Sequence, residues 1–452
     1  MGRTYFVDDA VGQYLSTLNT KGKPFLTGLF VGQSSSQKDY VILATQTPPM
    51  QDVGEEAPIN KKGSLQQDGQ SEEWAAEHAR QVSRMLPGGL TVIGVFIVTP
   101  TELTKEVQAL LQRLVFAVEK AVMKGKLWAA GEEDVSDRVA LHICSTTKKF
   151  VCRTYDVRDH KCSPKPADWK YQNGVSASWP CVECAISVDI HIPVSEVSTS
   201  QTLEKNIQNG LARWAKQVNQ SVCLINGQLK CEDSELLEGQ KKNVRGSGHH
   251  SAPTFVVQLL KPMPQTSEER STAAVQVCSS SINLKGAVFC RAYLHTNKPK
   301  VKDAIQALKR DVCNTISSRC EMLFEDLLMS ESSSTSGAEK EFHGLPKRVF
   351  VPLTGSSVMF CDYMFGDELA ADIQERFSEM LDYDTDDLQL DMSKEEVADP
   401  DAFKNSEGEK EELKNVVTDQ SKISKIRQNV GVALAAAVTL VAVAFSVLSF
   451  SD

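Results

Sequence analysis

Leu90-Thr91-Val92-Ile93-Gly94-Val95-Phe96-Ile97-Val98 is the apolar run on which the reading of the fold turns. A membrane helix needs about 20 apolar residues, so this run is too short to span. Pro87-Gly88-Gly89 stand before it as a turn signal, and the run reads as a buried strand. On its N-terminal side, Trp74, His78, Val82 and Met85 fall on one helical stripe across 73–85. On its C-terminal side, Leu103, Val107, Leu110, Leu114, Val118 and Val122 recur at helical spacing. Further out, residues 25–31 and 40–45 form a hairpin across a polar turn, and 139–143, 150–155 and 182–192 are strands. Leu203, Ile207, Leu211, Trp214 and Val218 make another amphipathic helix.

Three polar stretches punctuate this pattern, at 51–73, 232–251 and 330–341. After the second, residues 255–260, 274–278 and 287–295 read as strands. Val301, Ile305, Leu308, Val312, Ile316, Cys320, Leu323 and Leu327 line one face of a long helix, followed by strands at 349–353 and 358–363 and a helix over 367–381. The fold class is therefore α+β or mixed α/β. The organisation it implies is an N-terminal domain over 1–230, a linker over 231–251 and a second α+β domain over 252–381. An acidic flexible stalk over 382–428 and a C-terminal transmembrane helix over 429–450 complete it.

The transmembrane reading rests on residues 430–450, which carry no charge and span about 30 Å as a helix. Val430, Leu434, Leu440, Phe445, Leu448 and Phe450 are its bulkier apolar residues, and Lys422, Lys425 and Arg427 precede it. Those flanking cations keep the preceding body in the cytosol by the positive-inside rule. Six alanines make the run only moderately apolar, which suits a thin, early-secretory bilayer. Met1 to Phe6 alternate polar and apolar residues and lack the pattern of a secretory signal. Between 382 and 421 there are fourteen Asp or Glu against four Lys, an excess equal to the whole chain's net charge of −10. The rest of the body is near neutral, which argues against nucleic-acid binding. The twelve cysteines of a cytosolic chain are expected to be reduced.

Motifs for chemistry are sparse. The sequence has no phosphate loop, no G-x-G-x-x-G, no H-E-x-x-H and no G-x-S-x-G. Cys181-Val182-Glu183-Cys184 is a lone C-x-x-C with His160 and Cys162 nearby, and it reads as two thiols near a strand edge rather than a zinc site. His249-His250 lie in a Gly/Ser setting typical of a solvated loop. An enzyme built on Cys361 or Cys144 would need a spatially close His.

Thr27-Gly28-Leu29-Phe30-Val31-Gly32 and Ile93-Gly94-Val95-Phe96-Ile97-Val98-Thr99-Pro100 resemble the early G-x-x-x-G strand and the V-G-W-Y-H-S-H-P strand of the MPN fold. That resemblance implies an MPN-like N-terminal domain. In active members two His and an Asp hold zinc, and a Glu activates water. Laid on this sequence, the His positions fall on Ile97 and Thr99, the Asp on Leu110 and the Glu on Phe25. The implied domain is a catalytically inactive scaffold that holds no metal or cofactor and pairs with a second domain of its kind.

Longer stretches are similar to the odorant response abnormal protein 4 family. They include Met1 to Tyr5, Ser36 to Thr45, Gln81-Val82-Ser83-Arg84-Met85-Leu86-Pro87-Gly88-Gly89, Ala167 to Gln172, Asn283 to Ala287 and Cys320 to Leu328. The resemblance implies a non-enzymatic adaptor, single-pass in the endoplasmic reticulum membrane with its body in the cytosol. Its partners would be the cysteine protease specific for the ubiquitin-fold modifier, in a heterodimer, and G-protein-coupled (odorant) receptors whose trafficking it supports. The alternative is a direct receptor escort that acts on client membrane proteins without a protease.

Overall fold

The computed structural model describes residues 2–36, 38–49, 68–195, 202–238, 252–261, 278–330, 343–385 and 389–396. Its first layer is a mixed sheet. The strands are β1 (Thr4–Asp8), β2 (Leu26–Ser34), β3 (Asp39–Gln46), β4 (Thr91–Thr99), β5 (Asp137–Cys144), β6 (Phe150–Asp156), β7 (Lys165–Pro166) and β8 (Asp168–Gln172). Their spatial order is β7-β6-β5-β4-β2-β3-β1-β8. The hairpin expected from 25–45 is β2–β3, antiparallel, and the run at 90–98 is β4, a central strand between β2 and β5.

Both faces of this sheet are covered, which explains why β4 is apolar without alternation. Leu29, Val31, Val95 and Ile97 pack on one side with helices α2 (Asp68–Arg84) and α3 (Lys105–Met123). Phe30, Val41, Phe96 and Trp169 pack on the other with α1 (Asp9–Thr17). Because β4 and β5 run parallel, α3 makes the crossover between them. Its first turn is capped by the Thr104 hydroxyl, which accepts from the Val107 N–H. On α2 the buried stripe is Ala75, Ala79 and Val82 with His78, whereas Trp74 lies at the rim and donates its indole N–H to Pro48 O at 2.8 Å. Small residues at the contact let α2 approach its neighbours closely, and Trp74 is displaced outward.

The glycines of β2 and β4 serve close packing. A Cβ on Gly28 would sit 2.1 Å from the Phe96 ring, and one on Gly94 would sit 2.0 Å from Val139 O. Gly94→Ala must push β4 from β5, and we expect a loss of about 2–3 kcal/mol. Urea denaturation followed by tryptophan fluorescence measures it; an unchanged midpoint would refute the packing role.

The second layer is β10 (Val222–Ile225), β11 (Thr254–Leu260), β9 (Cys181–Ser195) and β12 (Cys278–Tyr293), in that spatial order. Helices α4 (Leu203–Gln220) and α5 (Val301–Ser330) pack against it. Finally β13 (Lys347–Pro352) and β14 (Met359–Met364) form a hairpin, and α6 (Ala370–Leu381) follows.

The pairing of these elements redraws the division into domains at 230 and 252. Strand β9 lies before the composition break, yet it pairs along its length with β12, beyond that break. Conversely, Val349, Val351, Phe360, Ile373 and Phe377 return to the core of the first sheet, beside Leu29 and Leu114. A polar stretch marks where the chain buries nothing locally, but it does not say which strands pair across it. The stalk is revised as well. Residues 389–396 dock on β13 through Phe350 and Asp391, and Glu395 is buried.

A further correction concerns the C-terminal transmembrane helix. Among the described residues no helix is long and apolar enough to cross a membrane. The run at 429–450, with Val430, Leu434, Leu440, Phe445, Leu448 and Phe450 and the flanking Lys422, Lys425 and Arg427, lies outside the described residues. The fold that the structure supports is mixed α+β without that helix. The strand expected at 274–277 and the pair His249-His250 also lie outside them.

Candidate functional site

The four positions that an active MPN-type site would use do not form a donor set. Ile97 and Leu110 are buried in the apolar core between β4 and α3, and Phe25 packs at its edge. Thr99 is also buried, at the C-terminal end of β4. Its hydroxyl donates to Thr101 O at 2.7 Å and lies 2.8 Å from His142 Nε2. Because the hydroxyl has one proton, given to Thr101, His142 must donate from Nε2. Burial lowers the His142 pKa and so favours the neutral ring. Among the described residues no three His, Cys, Asp or Glu cluster so as to hold a metal ion.

The cysteines follow the same logic. Cys144 lies two residues from His142 on β5, but its sulfur faces Pro100 O and the Thr147 N–H, each at 3.5 Å, while the imidazole is engaged by Thr99. Cys361 is fully buried, donates to Arg84 O at 3.7 Å and is pushed up to about 12 by burial, the reverse of an activated thiol. Cys181 and Cys184 are three apart on β9, so their side chains point to opposite faces. Cys181 is pushed up to about 12 by burial, and Cys184 lies opposite Cys290. The strand-edge reading is corrected, because β9 is interior to its sheet.

What the structure does bring together is a polar seam between the two layers. Two of the family-like stretches meet there. Arg80 and Arg84, near the end of α2, reach across to α5, where Arg84 contacts Glu321 at 3.0 Å and Glu325 at 2.8 Å. Burial alone would lower the Arg84 pKa, but the bond to Glu325 and the charges of Glu325 and Glu321 together outweigh it and raise it. Next along the chain, Gly88 N donates to Arg291 O at 3.0 Å and Tyr293 N donates to Gly88 O at 2.9 Å, joining the loop to β12. A Cβ on Gly88 would lie 2.4 Å from Ala307 O, so only glycine fits between α5 and β12. Gln33 of β2 completes the joint. Its amide donates to Gly89 O at 2.7 Å and Tyr293 O at 2.8 Å, and it accepts from His295 N at 2.6 Å.

Beneath the seam is a buried charge centre. Arg348 of β13 donates twice to Asp311 of α5, at 2.7 and 2.9 Å, with both side chains excluded from solvent. Asp311 also accepts from Arg291 N at 2.9 Å. Arg319, one turn beyond Thr315, donates twice to Glu395 at 2.9 and 2.8 Å. Glu395 further accepts from Phe289 N and Arg348 N, each at 2.7 Å. This arrangement holds charges in place; nothing in it is poised to move a proton or attack a carbonyl. A signal for it was present in the sequence. Asp311, Thr315 and Arg319 recur every four residues beside the apolar stripe of α5, and polar residues at core spacing need buried partners.

His78 ties α2 to α6, with its Nε2 at 2.8 Å from Met380 O. Burial pushes its pKa down to about 4, although the bond to Met380 works the other way. The unfolded chain therefore binds a proton between pH 6.5 and 4 that the folded chain refuses, and stability falls on acidification through that window. His78→Phe is expected to remove about 3 kcal/mol of that pH dependence. Denaturation midpoints at pH 7 and pH 4.5 test it; an equal acid loss in variant and parent would refute it.

Comparison with known proteins places this architecture among relatives. The family model described as ODR4-like, odorant response abnormal 4-like, matches residues 28–392. The chain is 53% identical to the protein odr-4 homolog of Homo sapiens over 459 aligned residues, covering 100% of both chains. It is 52% identical to the homolog of Gallus gallus, again over the full length of both. The odorant response abnormal protein 4 of Caenorhabditis elegans is 23% identical, covering 81% of this chain and 74% of that protein. Among solved structures, the crystal structure of UfSP from C. elegans aligns with a TM-score of 0.41 and 8% identity, covering 85% of this chain and 57% of that one.

Proposed function

The chain belongs to the ODR4-like family, and we propose that it is a non-enzymatic adaptor in the trafficking of odorant and related G-protein-coupled receptors. On this reading it binds the cysteine protease specific for the ubiquitin-fold modifier and keeps it at the cytosolic face of the endoplasmic reticulum membrane. The observation that carries the trafficking role is the full-length identity with relatives named for odorant response. The non-catalytic part is supported by Ile97, Leu110 and Phe25, apolar side chains packed where a metal-dependent site would need donors. A body rigidified by the seam suits an adaptor, because a partner surface carried on two locked layers keeps its shape without ligand.

The test is affinity purification of the tagged full-length chain from detergent extract, with mass spectrometry of the recovered proteins. Stoichiometric recovery of the modifier-specific protease is the expected result, with the protease shifting to the soluble fraction in cells lacking this chain. Recovery of receptors without any protease would overturn the adaptor reading in favour of a direct escort.

A further inference from the structure

We propose that the open cleft between the β13–β14 turn and the start of β11 is a binding site for a monoanionic carboxylate with an apolar body. The cleft encloses about 660 Å³, within the range of small-ligand sites. Trp179 and Tyr293 supply aromatic wall, Ser356 and Thr254 lie along it, and Arg291 and Met359 are also part of the lining.

The anion preference comes from Arg291, which is 9% exposed. Its guanidinium is fixed before any ligand arrives, 5.3 Å from the Phe289 ring centre and 5.2 Å from that of Phe350. One nitrogen, Nη2, meets Glu183 at 3.1 Å. Nη1 meets the Met359 sulfur, at 2.7 Å, the Tyr293 hydroxyl at the cleft wall is a further hydrogen-bond partner of the guanidinium, and Nε has no partner. A thioether is a weak acceptor, so Nη1 exchanges it for an oxygen at a gain. Arg376 in the same protein shows the saturated alternative, with Asp362, Glu368 and Tyr363 O sharing its three nitrogens.

The charge balance selects among anions. Glu183 already neutralises Arg291 in part, so a phosphate dianion would bring excess negative charge, whereas a single carboxylate forms a shared fork like that at Arg376. The aromatic wall then takes the apolar remainder. Two sources carry this chemistry, the C-terminus of a peptide chain and a small aromatic or aliphatic acid. The site is independent of the adaptor reading.

Ligand-observed NMR and calorimetry on the full-length chain test it, with N-acetyl-Ala-Ala-Phe, its C-terminal amide and 4-phenylbutyrate as probes. Binding of a free acid, weakened at least tenfold in the amide or in Arg291→Gln, is the expected result. The tighter of the two acids identifies the source. Thr254→Trp, at an exposed strand position, fills the cleft without touching the charge network and is expected to abolish binding, which keeps the test valid if Arg291→Gln misfolds. Binding of no acid, equal binding of acid and amide, or full binding to Thr254→Trp would overturn the proposal.

Discussion

Asp311→Ala is expected to destabilise the protein by about 3–5 kcal/mol, a large fraction of the stability of an ordinary domain. The substitution leaves the Arg348 guanidinium, 1% exposed, without its paired carboxylate, and it strips the Arg291 N–H of its acceptor. Charge rather than shape is at issue, so removing both partners should be milder than removing one. Asp311→Leu with Arg348→Met is expected to recover most of the loss, leaving about 1 kcal/mol for the unpaired Arg291 amide. Equilibrium denaturation of the two variants decides the matter. A double variant as unstable as the single would mean that Asp311 matters for packing and not for pairing.

Glu395→Ala should cost about as much, roughly 3–5 kcal/mol, and its loss has a local signature as well. Glu395 satisfies a fully buried Arg319 and two backbone amides from different strands, so this one side chain fastens the short segment 389–396 to β12, β13 and α5, alongside the backbone pair of Phe350 and Asp391. With the carboxylate gone, Arg319 has no counter-ion and the segment keeps only that backbone pair as its hold on β13. Limited proteolysis is expected to cut within 389–396 in the variant well before it cuts the parent. Glu395→Gln, which keeps one acceptor but no charge, should fall between them. Resistance to cleavage in Glu395→Ala would refute the fastening role. Arg348 touches both centres, through its side chain to Asp311 and its amide to Glu395, so the two effects should not add.

Much of the architecture was legible because it is local. The apolar spacing of residues 103–122 gave α3, the runs at 25–31 and 40–45 gave the β2–β3 hairpin, and the long stripe from Val301 gave α5. The first strand was less visible. Tyr5 and Val7 alternate over only five residues, too few to distinguish β1 from an extended tail, and its parallel partners on β3 and β8 lie 34 and 164 residues away. Of the positions laid on the MPN metal site, the structure places Ile97 and Leu110 in one core with Phe25 at its edge, while the Thr99 hydroxyl is hydrogen-bonded to Thr101 and His142. The seam and the charge centre were not grouped, because their members come from α2, β2, β12, β13, α5 and the 389–396 segment.

By itself the sequence determined the class of the longer periodic elements, the family, and the unsuitability of Phe25, Ile97 and Leu110 as metal donors. These follow from side-chain chemistry and from periodicities set by neighbours within a few residues. Only the tertiary structure decided that β9 pairs with β12, that β13, β14 and α6 return to the first core, and that Asp311 and Glu395 hold Arg348 and Arg319 out of water. The reason is physical. A buried charge or a strand edge fixes what kind of partner it needs, but many segments could supply one. The choice among them is made by the packing of the whole chain, in which only one arrangement buries the apolar faces and pairs the charges together.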